Sequence, residues 1–315
     1  MRQFVIQRGI QSVFLILLVT VLTFALVRLA PGGPSILMNP DLSAAQREEV
    51  RRNLGLDQPV AVQYARWLAN LARGDLGVSY TYGTAVGGVV LERLPATLLL
   101  TGAAFVLAVV LALPLGIVAA LKRNTALDYA AMLVTVVGVS VPIFWLGILA
   151  IIVFAVQLRW FPSGGMYTVS AGASVSDVVW HLVLPALVLS TYYVAQLARY
   201  VRSSMVEVVR ADYVRTARAK GLGEVAVIGR HALRNALIPV VTVAGLLLPR
   251  MVGGAALTES VFAWPGIGRL AVDAAHQSDY PLILGVTLLI SVVVIVGNAV
   301  TDALYSWVDP RIRLR

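Results

Sequence analysis

Apolar and polar positions alternate along the chain in long blocks: hydrophobic runs separated by charged loops. Six runs approach or exceed the roughly 20 residues a helix needs to cross a hydrocarbon core: approximately Ile10–Ala30, Pro95–Leu121, Tyr129–Val156, His181–Tyr200, Ala236–Leu257 and Pro281–Trp307. Such segments must be helical, because a bare backbone N–H or C=O in lipid costs several kcal/mol. Pro114, Pro142, Pro185 and Pro249 interrupt them, which a packed membrane bundle tolerates as kinks beside a cavity. The expected architecture is all-α and integral to a membrane, with six transmembrane helices. The first run follows Arg2 and Arg8 and could pass for a secretion signal. At nearly 20 residues it exceeds the usual signal core of about 7–15, and the turn Pro31-Gly32-Gly33-Pro34 follows where a cleavage site would stand. It reads as a retained first span, residues 1–30.

The polar segment 31–94 is long enough to fold by itself. Ser43 with Gln46 makes a capping box, and Gly55 stands where a helix C-terminus wants glycine. Pro59 opens a second helix with Val60, Tyr64, Trp67, Leu68 and Leu71 at helical spacing, and Gly74 closes it. The expectation is a small helical cap on the outer face. The core, 95–307, then carries five spans and a polar loop, 201–235, and a short tail follows at 308–315.

Composition fits this partition. Hydrophobic residues make up 59% of the 315 and charged residues only 13%, against about 25% charged in a soluble domain. With no cysteine, thiol catalysis, disulfides and cysteine-ligated metals are excluded. A net charge of +9 invites a nucleic-acid reading, yet the charges sit in short loops between apolar runs and act more simply as an orientation signal. If both termini are cytoplasmic, fifteen basic residues fall inside: Arg2, Arg8, Lys122, Arg123, Arg199, Arg202, Arg210, Arg215, Arg218, Lys220, Arg230, Arg234, Arg311, Arg313 and Arg315. Eight fall in the longer outside segments, so this orientation is expected.

The loop after the fourth run, Arg202 to Pro239, is too polar to cross a membrane but rich in helix formers. Gly221 and Gly223 bracket a turn between two expected short helices, about Ala211–Lys220 and Glu224–Asn235. On the first, Ala211, Val214 and Ala217 share a small-residue face, with Arg215 and Arg218 elsewhere. Such a helix suits docking into another protein's groove; lying on anionic lipid is the alternative.

This loop resembles the Glu-Ala-Ala signature of permeases in binding-protein-dependent ABC importers. Ala217, Gly221 and Leu233 match the signature, while Arg215, Thr216, His231 and Arg234 replace its glutamate, first alanine, isoleucine and proline. RTARAKGL followed by RHALRNALIP is similar to the dipeptide/oligopeptide branch. The likeness extends through LAPGGP, LGLDQPVAVQYARWL, RGDLGVSY, PIFWLG, ESVFAWPGIGRL and VDPRIR, in order along the chain. It implies a type I ABC importer permease fold in a bacterial inner membrane, paired with a second homologous permease. It also implies two ATP-binding cassette subunits, which hold the ATP and Mg2+, and an extracytoplasmic solute-binding protein. The loop would form the coupling helix against the ATPase, with Ala211, Asp212, Tyr213, Arg215, Thr216, Ala217, Lys220, Gly221, Leu222, His231 and Arg234 at the contact. The implied cargo is small peptides, with nickel or glutathione left open by the same branch.

No Walker A pattern is present, since neither Lys122 nor Lys220 lies in Gly-Lys-Ser/Thr. No metalloprotease or serine-hydrolase motif occurs, and His181, His231 and His276 lie on separate segments. A chain without a catalytic, metal or cofactor site is therefore expected. The spans lack the intramembrane acids of an ion-coupled secondary transporter, apart from Asp302 near one end. Arg28, near the end of the first run, can snorkel to headgroups. Arg250, deeper in the fifth, faces the bundle interior, pairs with an acid, or meets substrate in the pathway. Glu259, Phe262, Pro265 and Gly266 belong to an aromatic turn read two ways: Phe262 and Trp264 anchor at headgroup depth, or, by the resemblance, the segment lies near the translocation gate.

Overall fold

The computed structural model describes residues 2–29, 33–38, 40–170, 172 and 174–308. Along the chain the longer elements are α1 (Arg2–Leu29), α2 (Ala44–Asn53), α3 (Val60–Leu71), α4 (Val86–Leu121), α5 (Ala126–Ser140) and α6 (Ile143–Gln157). They continue as α7 (Val175–Val208), α8 (Asp212–Ala219), α9 (Glu224–Val261), α10 (Ile267–His276) and α11 (Tyr280–Val308). Five helices are long and apolar enough to cross a membrane, or six if the bent pair α5 and α6 is one span. The expected third span is thus two arms meeting at 103°. Pro142 is the cause: it lacks an N–H and drives Val141 out of the helical region, to φ −80° and ψ 125°. Of the expected tail, the residues 309–315 with Arg311, Arg313 and Arg315 lie outside the described set.

The chain divides into two compact units. One takes α1 to α3, the start of α4 up to Thr97, and residues 265–295. Its core joins Val86 and Val90 of α4, Ile267, Leu270 and Ala274 of α10, and Leu282 and Val286 of α11, all at most 3% exposed. Gly285 lets α11 reach α4, since a Cβ there would stand 2.3 Å from Val86 Cγ1. Two polar ties hold the ends. Thr97 Oγ1 accepts from Ile267 N at 2.8 Å, satisfying a donor at the open end of α10. Asp279, fully buried, accepts from Ser79 Oγ (2.5 Å), Thr81 N (2.9 Å) and Leu282 N (3.2 Å), pinning the loop before α4 to the start of α11.

The cap helices follow their local signals closely. Ser43 N donates to Gln46 Oε1 and Gln46 N to Ser43 Oγ, completing the capping box of α2. Gly55 and Gly74 both adopt the left-handed backbone that ends a helix, at φ +64° and +81°. Helix α3 leans on α1 through Thr20 and Tyr64, whose hydroxyls lie 3.0 Å apart, and through an edge contact of Phe24 on Tyr64.

The other unit takes the rest of α4, α5 to α9, and the end of α11. Helix α7 is its axis: 34 residues, about 51 Å at 1.5 Å per residue, against a hydrocarbon thickness of about 30 Å. Small residues set its crossings, as is usual where apolar surface is no driving force. A Cβ on Gly116 of α4 would lie 2.6 Å from Val201 Cβ and 2.7 Å from Ala198 O; one on Gly138 of α5 would lie 3.2 Å from Ala195 Cβ. Pro249, inside α9, cannot donate to the Gly245 carbonyl. Thr301 Oγ1 of α11 donates there instead, at 2.9 Å.

Candidate functional site

The loop between α7 and α9 is built from a short amphipathic helix and a glycine turn. Ala211 ends the turn after α7 with extended backbone, and α8 runs from Asp212 to Ala219. Lys220 caps it, and Gly221 at φ +79° reverses the chain, its N–H bonded to Arg218 O at 2.9 Å. Gly223 then opens α9. A guanidinium clamps the turn from both sides: Arg218 Nε donates to Glu224 Oε1 at 2.7 Å and Nη2 to Oε2 at 3.3 Å. Within α8, Arg215 pairs with Asp212, and Thr216 Oγ1 donates to Asp212 O.

The small-residue face points the other way from the one expected. Val214 is fully buried and Ala217 is 5% exposed within the chain itself, where α8 packs on the first turns of α9 around Val227 and Ala232. Alanine-sized side chains permit close helix approach to any neighbour, and here the neighbour is the subunit's own helix. The outward side carries Asp212, Tyr213, Arg215, Thr216, Lys220, Gly221 and Leu222. Val225 continues it at 89% exposed, beside Tyr213 at 45% and Leu222 at 43%.

The second expected helix, Glu224–Asn235, is not separate. It is the beginning of α9, joined to the span by a π-helical stretch, Val227–Leu233, that contains the half-buried His231; Arg234 follows it, exposed. The turn therefore leads into α9 with no break in the helix.

Sequence reasoning missed one pair that supports this loop. Asp128, 2% exposed at the start of α5, accepts Arg202 Nε and Nη2 at 2.7 Å each and Asn124 N at 2.9 Å. This bidentate bond joins the α4–α5 turn to the last two turns of α7, ahead of α8. Arg202 had counted only as an orientation charge. An aspartate in the first turn of an apolar helix was the available signal, but the 74 residues between the partners hide the pairing.

The aromatic turn is placed differently from expectation. Glu259 and Trp264 are fully buried and Phe262 is 1% exposed, within the subunit rather than at a membrane surface. Phe262 packs with Ala150, Leu184 and Val188, and its carbonyl accepts from Gly165 N at 2.8 Å. Trp264 N donates to Glu259 O at 2.8 Å, closing the corner after α9. The headgroup-anchoring reading of Phe262 and Trp264 is corrected accordingly: burying the rings against neighbouring helices removes more apolar area from water than a headgroup position would. Pro265 is half-buried and Gly266 buried.

Arg250 is exposed on its own subunit, and among the described residues no carboxylate of the chain pairs with it. His181 is structural, 8% exposed with Nδ1 2.9 Å from Asp177 O. Among the described residues no group of three His, Cys, Asp or Glu could hold a metal.

Comparison with known proteins gives the same picture from end to end. Residues 112–314 match the family described as binding-protein-dependent transport system inner membrane component, and residues 1–101 match its N-terminal family. The oligopeptide transport system permease protein AppB of Bacillus subtilis is 43% identical over 99% of both chains. The di/tripeptide transport system permease protein DppB of Pseudomonas aeruginosa is 44% identical over 94% of both. Among solved structures, inward-facing forms of the MetNI methionine ABC transporter align with TM-scores of 0.57 and 0.52 at 19% and 20% identity. They cover 70% and 69% of this chain and 96% of theirs, which shows the common fold. The chain belongs to the binding-protein-dependent transport system inner membrane components and is the membrane-spanning permease subunit of an ABC importer.

Proposed function

We propose that this chain forms half of the translocation pathway of an importer for small peptides. The observation that carries the cargo is the full-length likeness to two peptide permeases at 43% and 44% identity. A second permease encloses the other half, two ATPase subunits sit on the cytoplasmic loops, and a solute-binding protein delivers cargo outside. Both termini are cytoplasmic in this reading, supported by the fifteen basic residues that it places inside.

The outward side of α8 and its turn is the ATPase contact, with Tyr213, Leu222 and Val225 as apolar anchors and Arg215 and Lys220 around them. ATP-driven closure of the ATPases pushes this surface. Because α8 rests on α9 through Val214 and Ala217, and the turn runs straight into α9, the push reaches the fifth span through that contact. Asp128 and Arg202 keep α7 and the α4–α5 turn moving with it. The result is a population shift between inward- and outward-facing states. Arg250 stands on the pathway side of α9: a guanidinium exposed in mid-span is too costly against lipid, so water, a partner or cargo faces it. A peptide carboxylate is the cargo group that fits. Glu259 and Phe262 close the outer end of α9 as a buried corner.

The test is uptake of labelled di- and oligopeptides into vesicles holding the full importer, with and without ATP on the cytoplasmic face. ATP-dependent uptake of peptides supports the assignment; ATP-dependent uptake of nickel or glutathione alone replaces the cargo; uptake without ATP overturns the mechanism. Arg250→Gln should assemble normally and lower uptake about tenfold, which is about 1.4 kcal/mol of lost cargo interaction.

A further inference from the structure

Helix α7 has three sides covered by neighbours in its own unit. Thr191 and Ala195 meet Gly138 of α5, Ala198 and Val201 meet Gly116 of α4, and a Cβ on Gly254 of α9 would lie 3.3 Å from Tyr193 Oη. The fourth side is open. Tyr192, Gln196, Arg199 and Ser203 lie along it at spacings of four, three and four, which the 3.6-residue repeat places in one stripe. Tyr192 is 38% exposed, Gln196 is half-buried, and Arg199 and Ser203 are exposed. Their side chains form a ladder: Gln196 Nε2 donates to Tyr192 Oη at 2.8 Å, and Arg199 Nη2 donates to Gln196 Oε1 at 3.3 Å. A cavity of about 330 Å³ lies along this stripe, lined by Gln196, Arg199, Tyr200 and Ser203.

Depth and continuity decide what faces the stripe. Tyr192 stands at the middle of α7, where an exposed hydroxyl or carboxamide is costly against hydrocarbon. The ladder also begins beside Arg250. The Tyr192 ring meets that of Tyr193 edge-on at 5.3 Å, and the Tyr193 hydroxyl lies against Gly254, one turn after Arg250 and within its electrostatic reach. The stripe thus continues the side of α9 assigned above to the pathway. Its chemistry names the cargo group. The Gln196 carboxamide commits one N–H to Tyr192 and one carbonyl lone pair to Arg199, which leaves one N–H and one lone pair. A peptide unit presents the complementary C=O and N–H, whatever its side chains are. We propose that Gln196, held in place by Tyr192 and Arg199, pairs with the backbone of a passing peptide, so that the permease selects a peptide unit rather than a side chain. This deepens the peptide reading above and rests on it.

The test uses the complete importer in vesicles with saturating solute-binding protein, and uptake is expressed per assembled complex. Two cargoes are compared: trialanine, and its analogue methylated at the central peptide nitrogen. Wild type should take up trialanine faster. Gln196→Met keeps the length of the side chain and removes both hydrogen-bonding groups. It should shrink the ratio of the two rates about fivefold, about 1 kcal/mol of lost backbone recognition. General damage lowers both rates together, so an unchanged ratio overturns the proposal. A second readout needs no loss of function. The chain has no cysteine, so Ser203→Cys supplies its single thiol. A membrane-impermeant maleimide on both faces should label it, and trialanine with the binding protein should slow that reaction several-fold. No labelling in any state means that lipid or the partner permease covers the stripe, and overturns the proposal. Labelling indifferent to trialanine, while trialanine is still taken up, overturns it and leaves the peptide importer standing. Uptake of, and thiol protection by, nickel or glutathione alone overturns the peptide reading itself and this inference with it.

Discussion

Two segments of this permease carry comparable sequence signals and meet opposite fates in the fold. Residues 211–225 and 259–266 each combine a helix end, a glycine and apolar groups near charge. In the first, only Val214 and Ala217 are buried, and the turn stays on the surface with Leu222 and Val225 exposed. In the second, Glu259, Phe262 and Trp264 are enclosed almost completely. The difference follows from what each segment can bury. An eight-residue helix with two small apolar positions has one narrow face to hide, and its charged remainder stays in water. The Phe262 ring has too much apolar area to leave at a surface when α6 and α7 offer a packed site, and the Trp264 ring is enclosed as well. Exposed apolar residues on the first segment are therefore available to a partner. Those on the second hold the subunit together.

Substitutions that separate these roles should differ in size. Trp264→Ala removes a fully buried ring and should cost about 3–5 kcal/mol, read as loss of folded subunit from membranes or a sharp fall in the thermal midpoint of the complex. Asp128→Ala leaves Arg202 without its bidentate partner and should cost about 3 kcal/mol. Exchanging the two, Asp128→Arg with Arg202→Asp, should recover part of that stability if the pair rather than its surroundings matters. Gly221→Ala meets no atom within 4 Å but holds φ +79°, so about 1–2 kcal/mol of backbone strain is its whole expected effect. Gly221→Asn should cost less, and a thermal melt of the two side by side checks the order. Leu222→Asp and Val225→Asp, both exposed, should change stability by less than about 0.5 kcal/mol. Their uptake should nevertheless fall and ATPase activity should uncouple from cargo. A stability loss there equal to that of Trp264→Ala would erase the contrast between the segments.

Local chemistry was readable wherever the cause lay within a few residues. The capping box of Ser43 and Gln46, the helix stops at Gly55 and Gly74, the start at Pro59 and the turn at Gly221 all stand where the sequence places them. Hydrogen-bond demand and backbone sterics act over one turn, so neighbouring residues suffice to specify them. Pro142 was legible as a break, but its 103° angle was not, because a proline permits a bend and packing sets its extent.

The number of apolar runs, their helical state and the presence of a polar turn between α7 and α9 were determined by the sequence alone, since lipid leaves the backbone one way to satisfy itself. The tertiary structure alone decided that Val214 and Ala217 face inward, that Trp264 is enclosed, and that Asp128 finds Arg202 across 74 residues. Helical periodicity says which residues share a face. It does not say which neighbour that face will meet, because that depends on contacts made by distant parts of the chain.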